Sequence, residues 1–488
     1  MSALRSIDVT QAPGSGGTVE VPMSYTPSLD KVLLDGSPRL LDFPASAGAF
    51  APSMLSQILI PSAGSRYILG GSAYLNFDVA LSATVTSVGT PPILAYFSGG
   101  PTKSAAALID RITISAGGTT LADIGNYYVW HNMILLHASS QDYQQSSQIL
   151  ENSFQSIAYA GAPTSVTGSV TISLPLAVGI FNTTKAFPLW AFNAPLVINI
   201  YWNSFAKSIG YAPIQQSALS TAVSALNGIT GNWTGSGLSL RCACVDVDPE
   251  YIIQQKKQMA AGKLLVFQYD QASGMQTNAG PSSINFGVNC SSLLGVFGTQ
   301  QINSECAQLA SGGAEGLGYT VSAGSWGFSA NYADSIRVFR DGTQLSSFPL
   351  CVSTRDDAYP ALQQALGVLF STSNATLCRK IAPDSYTAMS GANYRLDSSI
   401  TQCKKFNLPP AWSSGTYQGG SVFQPCGFVW GLSARKCSDD NVSNQGVYCQ
   451  QLQVTVDNGG TTAGTHYIYY VYSSALAIDV AGNCVVKR

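Results

Sequence analysis

Few side chains in this sequence carry charge. Charged residues make up 10 % of the 488, against roughly 25 % in an ordinary soluble domain. Hydrophobic content is ordinary at 45 %, so Ser, Thr, Asn, Gln and Gly stand where charges would be. Such a surface is not held apart by repulsion. It suits a chain that lives against other copies, against a partner, or outside the cell.

Basic character is missing as well. The formal net charge is −2, and the pairs Lys256-Lys257 and Lys404-Lys405 are the only adjacent lysines. Each reads as a solvated face. Across the first 45 residues Arg5, Lys31 and Arg39 are outnumbered by Asp8, Glu20, Asp30, Asp35 and Asp42. An arm of that composition does not neutralise phosphates, so direct nucleic-acid binding is not expected. The opening "MSALRSIDVTQ" has neither the basic nor the apolar region of a secretory leader. No uninterrupted apolar run of about 18 residues occurs, so no spanning helix is expected.

Catalytic vocabulary is equally thin. Of three histidines, His131 and His137 are six apart on an expected helix and so about 120° apart around it, which keeps them from sharing a metal on one face. His466 sits in an aromatic strand. There is no GxSxG elbow, and "MAAGKLL" lacks the earlier glycine of a phosphate loop. The adjacent pairs Asp356-Asp357 and Asp439-Asp440 favour capping over acid–base work. Sequons at Asn182, Asn232, Asn289, Asn374 and Asn441 are what chance supplies in a chain rich in Ser and Thr. No catalytic, cofactor-binding or metal residue is assigned, no cofactor is expected, and the chain reads as a non-enzyme.

Cysteine is absent before residue 242. The eleven cysteines are Cys242, Cys244, Cys290, Cys306, Cys351, Cys378, Cys403, Cys426, Cys437, Cys449 and Cys484. The odd count leaves at least one thiol free, and the absence of CxxC removes the zinc and thioredoxin spacings. Buried, reduced thiols are the expectation, since Cys behaves as a small hydrophobe.

What is present is a period of two. "SAYLNFDVAL" (72–81), "LVINIYW" (196–202), "LSLRCACVDV" (238–247), "QLQVTV" (451–456) and "HYIYYVY" (466–472) read as strands. "VDNGG" (456–460) is expected to turn a hairpin between the last two. Three segments read as helices: 127–137, 356–370 and 248–262. The last has Asp248 as N-cap, Pro249 at the first helical position and Gly262 past the end. It reads as a connector at mid-chain.

A repeat organises the whole. "DRITISAGGTTL" (110–121) and "DSIRVFRDGTQL" (334–345) align without gaps at an offset of 224. Asp110/Asp334, Ile112/Ile336, Gly118/Gly342, Thr119/Thr343 and Leu121/Leu345 match, and Ile114 pairs with Val338. Each copy reads as strand, glycine turn, strand, followed by a helix. Gly118 and Gly342 should occupy the same turn, and the paired Ile and Val side chains should enter two separate cores. Two related β domains follow, with few apolar contacts joining their interiors. The Gly/Ser-rich segments 311–330 and 411–420 read as surface loops.

One stretch fits neither a membrane helix nor a loop: "TISLPLAVGIFNTTKAFPLWAFNAPLVINIYW" (171–202), with Lys185 its only charge. Together with "LIDRITISAGGTTLADI", "DPEYIIQQKK", "GFVWGLSARKCSDDNVSNQGV…LQVTV" and "YIYYVYSSALAIDV", it resembles the double jelly-roll major capsid proteins of large eukaryotic DNA viruses, virophages and polinton-like viruses. The resemblance spans roughly residues 50 to 485. It implies an all-β fold of two consecutive eight-stranded antiparallel jelly rolls with short helices and long loops. The corresponding division is an N-terminal arm over 1–50, a first roll over 51–250 and a second over 251–488. It further implies a homotrimer offering six barrels, and partners among neighbouring capsomers, penton and minor capsid proteins, with an internal membrane left open. The place would be the virion shell, assembled inside the host cell. Within such rolls Pro175, Pro188 and Pro195 would end or redirect strands. The competing readings are a secreted β-sandwich adhesin or carbohydrate-binding protein, which calls for a leader and paired cysteines, and a glycosidase-like β enzyme, which calls for two carboxylates in a cleft.

Overall fold

The computed structural model describes residues 38–62, 64–85, 93–97, 104–137, 164–183, 185–213, 229–277, 283–302, 335–351, 357–366, 395–396, 422–423, 428–436, 446–457 and 464–488. The first roll comprises β1 (Arg39–Pro44), β2 (Leu55–Ile60), β3 (Tyr74–Val85), β4 (Ile109–Ala116), β5 (Thr119–Gly125), α1 (Tyr127–His137), β6 (Thr164–Pro175), β7 (Leu196–Trp202) and β8 (Ile229–Asp246). The connector α2 (Pro249–Ala260) follows. The second roll holds β9 (Leu265–Thr277), β10 (Ser283–Ile302), β11 (Ser335–Arg340), β12 (Thr343–Gln344), α3 (Ala358–Ala365), β13 (Trp430–Ser433), β14 (Val447–Asp457), β15 (Gly464–Ile478) and a closing β16 (Cys484–Lys487).

Pairing fixes the architecture. In the first roll one sheet runs β1-β8-β3-β6 and the other β2-β7-β4-β5. The first, eighth, third and sixth strands thus share a sheet, and the second, seventh, fourth and fifth share its partner. That order is an eight-stranded jelly roll. The second roll repeats it as β9-β15-β10-β13 and β10-β14-β11-β12. Here the second and third strands are one continuous β10. Its first half pairs with β14 and its second with β15. Register shifts on either side of Cys290, and Asn289 at φ 49, carry it from one sheet to the other. The chain is a double jelly roll.

Alternation builds each interior. Every second residue is buried: Ser56, Ile58 and Ile60 on β2, and Leu196, Ile198, Ile200 and Trp202 on β7. Their inner residues form rows across strands: Ile58, Ile198 and Ile114 in one, Ile200, Ile112 and Ile124 in the next. Each such side chain gains about 2–3 kcal/mol from burial relative to exposure. Phe50 stacks on Trp202 at 4.2 Å between centroids, and the Trp202 indole donates to the Ser56 hydroxyl at 2.8 Å.

The duplicated hairpins occupy equivalent places, as fourth and fifth strands of their rolls. Both central turn residues have positive φ in each: Gly117 (55) and Gly118 (83), then Asp341 (48) and Gly342 (80). That is the signature of a type I′ hairpin turn. Ile112, Ile114, Ile336 and Val338 are all buried.

Three expectations need correction. β14 and β15 do not form a hairpin around "VDNGG"; both pair with β10, on opposite halves, because the seventh and eighth strands of a jelly roll belong to different sheets. The interiors are also not separate. Buried apolar side chains run continuously from roll to roll, because the second roll buries an edge of the first. Finally, Arg39–Pro44, within the segment read as an arm, pairs along β8. The connector is as expected: the Asp248 side chain accepts from the Glu250 N–H, Pro249 stands in the first turn, and Gly262 has φ 90. Helix α3 covers part of 356–370, and residues 356 and 367–370 lie outside the described residues. So do the loops read at 311–330 and 411–420.

Candidate functional site

The seam between the rolls begins with β5, the outer strand of its sheet. An outer strand presents carbonyls with no ladder partner, and buried carbonyls need donors. The second roll supplies donors to carbonyls within β5 and just before and after it. The Tyr269 hydroxyl donates to the Leu121 carbonyl at 2.7 Å, and the Tyr469 hydroxyl to the Asn126 carbonyl at 2.8 Å. The Cys484 thiol donates to the Ala116 carbonyl at 3.3 Å, and the Thr119 hydroxyl donates back to the Cys484 carbonyl at 3.0 Å. Tyr128 and Tyr467 meet hydroxyl to hydroxyl at 3.2 Å. Burial holds the Tyr128, Tyr469 and Tyr269 phenols above their ordinary range, so they stay protonated donors.

Helix α1 completes the seam. Trp130 lies 5.3 Å from the Tyr469 ring and 6.1 Å from Phe297, and its indole donates to the Ala177 carbonyl at 3.1 Å. Helix α1 packs on both rolls. Helix α3 keeps to its own, where Leu362 lies against Gly431 of β13.

The puzzling stretch 171–202 now has a physical account. Its two ends are β6 and β7, and its middle is a wall against the second roll. A Cβ at Gly179 would fall 1.4 Å from the Asp270 carbonyl oxygen, so the backbones touch there. Phe187 meets Phe267 edge-on at 5.2 Å. Asn193 bonds the turn that ends β15, through Gly482 and Asn483, and Asp479 ties that turn by accepting from the Ala481 and Asn483 N–H groups. β6 ends at Pro175, Pro188 closes a two-residue strand, and Pro195 immediately precedes β7. Apolar character on both faces reflects burial between two barrels of one chain.

The residues weighed for chemistry are scattered. His131 is buried beside the Tyr127 hydroxyl, 3.4 Å from Nδ1, and His137 closes α1. His466 is buried in β15; its Nε2 has no hydrogen-bond partner, and desolvation pushes its pKa down to about 4. Asp357 precedes α3, while Asp356, Asp439, Asp440, Asn374 and Asn441 fall outside the described residues. Among the described residues no three His, Cys, Asp or Glu side chains converge as a metal set, and no helix is long and apolar enough to cross a membrane. Six cysteines are described, all as free thiols. Cys242 and Cys244 lie 3.7 Å apart.

The outer walls differ between rolls. On the first, Leu55 and Leu59 of β2 stay 50 % and 43 % exposed, beside Tyr201 and Val197. On the equivalent sheet of the second, the outward residues include the polar Ser283, Asn285, Gln453 and Thr455. A second apolar row, Val266 and Val485 flanking Ala477, crosses β9, β15 and β16. Sequence reading missed the seam tyrosines. Their periodic placement in "KLLVFQYD" and "HYIYYVY" resembles ordinary core alternation, and nothing local tells which rings reach another roll.

By sequence the chain matches no protein family and no curated protein. By structure, a chain of the Sputnik virophage, solved by cryo-EM, aligns over 96 % of this chain and 92 % of its own, at 14 % identity and TM-score 0.52. The Faustovirus major capsid protein aligns over 95 % of this chain and 93 % of its own, at 8 % identity and TM-score 0.53. Such identities speak for fold alone. Coverage of this extent means that what is shared is the tandem of two rolls, not one roll twice over.

Proposed function

We propose that this protein is the major capsid subunit of an icosahedral DNA virus, working by self-assembly and not by catalysis. One observation carries the reading: two jelly rolls are locked by a buried seam into one tandem unit, and that tandem is shared along almost its whole length with the Faustovirus major capsid protein. A subunit with two similar barrels gives six when three copies associate, a tile close to hexagonal. The low charge supports the reading, because repulsion between many identical copies opposes a closed shell. Leu55, Leu59, Val266 and Val485 supply exposed apolar surface for contacts between copies. Unpaired thiols among the described residues speak against a disulfide-stapled secreted adhesin.

In this reading the first roll extends to Asp248, α2 joins the halves, and the second roll runs from Lys263 onward. The partners are further copies of the trimer and the other proteins of a shell, in a virion assembled within the host cell. The genome is not bound directly.

Light scattering on the purified chain tests the oligomer. The expected mass is about 154 kDa, three times 51.2 kDa. A stable monomer at micromolar concentration would overturn the trimer. Sub-micromolar DNA binding with a steep salt dependence would overturn the separation from the genome.

A further inference from the structure

Cys290 of β10 and Cys449 of β14 are direct register partners, and both are buried. Residues directly opposite in an antiparallel pair hold their Cα atoms about 4.5–5.5 Å apart, inside the window of about 4.4–6.8 Å that a disulfide spans. Pairing also turns both side chains to the same face of the sheet. The location is singular within the roll. Register shifts fall on both sides of Cys290, and Asn289 before it has φ 49, so the pair sits where β10 leaves one sheet for the other.

We propose that Cys290 and Cys449 form a cross-strand disulfide on exposure to an oxidant, a modification that pins the sheet-crossing bend of the second roll to β14. The proposal does not depend on the capsid reading. No other described cysteine has a cysteine as its cross-strand register partner. Cys242 and Cys244 are two apart on one strand, with Cα atoms about 6.6 Å apart by strand rise and so at the far edge of the window. Cys484 donates to the Ala116 carbonyl across the seam; Cys449 donates to the Gln451 carbonyl at 3.4 Å within its own strand, a contact that the disulfide would replace.

The chemistry is thiol–disulfide exchange with a small-molecule disulfide such as oxidised glutathione. One cysteine thiolate attacks a glutathione sulfur, the glutathione S–S bond breaks, and one reduced glutathione leaves. The second thiolate then attacks the mixed disulfide, forms the Cys290–Cys449 bond and releases a second reduced glutathione. The two cysteine protons end on the two glutathione thiols; the protein is oxidised by two electrons and glutathione is reduced by two. Burial pushes Cys290 up to about 11 and Cys449 up to about 12. Thiolate is therefore scarce at neutral pH, and the reaction should be slow there and quicken about tenfold per pH unit between 7 and 9. That behaviour marks a lasting change of state and not a rapid sensor.

The test incubates the full-length chain with oxidised glutathione at pH 8.5, blocks remaining thiols by alkylation, and maps unreduced peptides by mass spectrometry. The expected result is a peptide pair joining Cys290 to Cys449, lost on reduction, with a thermal midpoint raised by several degrees over the reduced chain. Cys449→Ser should abolish both; should that variant fail to fold, the wild-type map decides alone. Recovery of both cysteines as alkylated or glutathione-bound species, or joined to other cysteines, would overturn the disulfide. A correct link with an unchanged midpoint would overturn the pinning.

Discussion

The Tyr269 hydroxyl donates a 2.7 Å hydrogen bond to the Leu121 carbonyl, between residues 148 apart in sequence. It joins the edge of one roll to the face of the other, satisfying by side chain what a neighbouring strand would satisfy by backbone. Tyr269→Phe keeps the ring and removes the donor. With the carbonyl left unmet, the cost should be about 1–3 kcal/mol, read as a lower urea midpoint. An unchanged midpoint would mean that water takes the hydroxyl's place.

Two kinds of glycine should respond differently to alanine. Gly118 and Gly342 have positive φ and open space around a Cβ, so each substitution meets backbone strain alone and should cost about 1–2 kcal/mol. The two costs should match, since the turns do. Gly179→Ala drives a Cβ into the Asp270 carbonyl and should cost more than either turn variant, by separating the rolls. Thermal midpoints of the three variants test this; a mild Gly179→Ala would refute the close approach.

Acid should weaken the second roll through His466. Its folded pKa, about 4, lies below the unfolded value of about 6.5, so the unfolded chain binds the proton more readily. The contribution is complete above about pH 6.5 and is lost as pH falls through 4. Across that window the loss should approach roughly 3 kcal/mol. Urea midpoints at pH 7 and pH 4.5 should differ more for wild type than for His466→Gln. Equal differences would clear His466 of the effect.

Arg111 and Asp123 make a close bidentate pair, with contacts at 2.7 and 2.6 Å. Both side chains are substantially exposed, so Arg111→Ala should cost no more than about 1 kcal/mol. A larger loss would show that the outer face of β4 and β5 is buried in an assembly, and a concentration-dependent midpoint would confirm it.

Much of the fold was legible because it rests on local signals. Alternation marked β7 to the residue, the Asp248–Pro249–Gly262 punctuation marked α2, and the paired glycines marked equivalent hairpins. Misplaced expectations concern what one segment cannot say about another. "VDNGG" carries good hairpin chemistry, yet β14 and β15 are claimed by opposite halves of β10. The isoleucine rows of the first core were foreseeable, but the fusion of the two interiors was not. It depends on which tyrosines point past their own roll, and a tyrosine that fills a core and one that caps a foreign strand look alike in sequence.

A strand that belongs to two sheets is also a mechanical element. In the second roll, tension on the β14 side passes to the β15 side along a single main chain, through β10, without crossing a hydrogen bond. In the first roll the same path runs from β2 to β3 through residues 61–73, a connection of thirteen residues. Sliding of one sheet past the other is therefore braced by one continuous strand in the second roll, and in the first by a longer connection whose Arg66–Ile68 segment pairs with β8. Under load the first roll should yield before the second, since thirteen residues can extend where a single strand cannot.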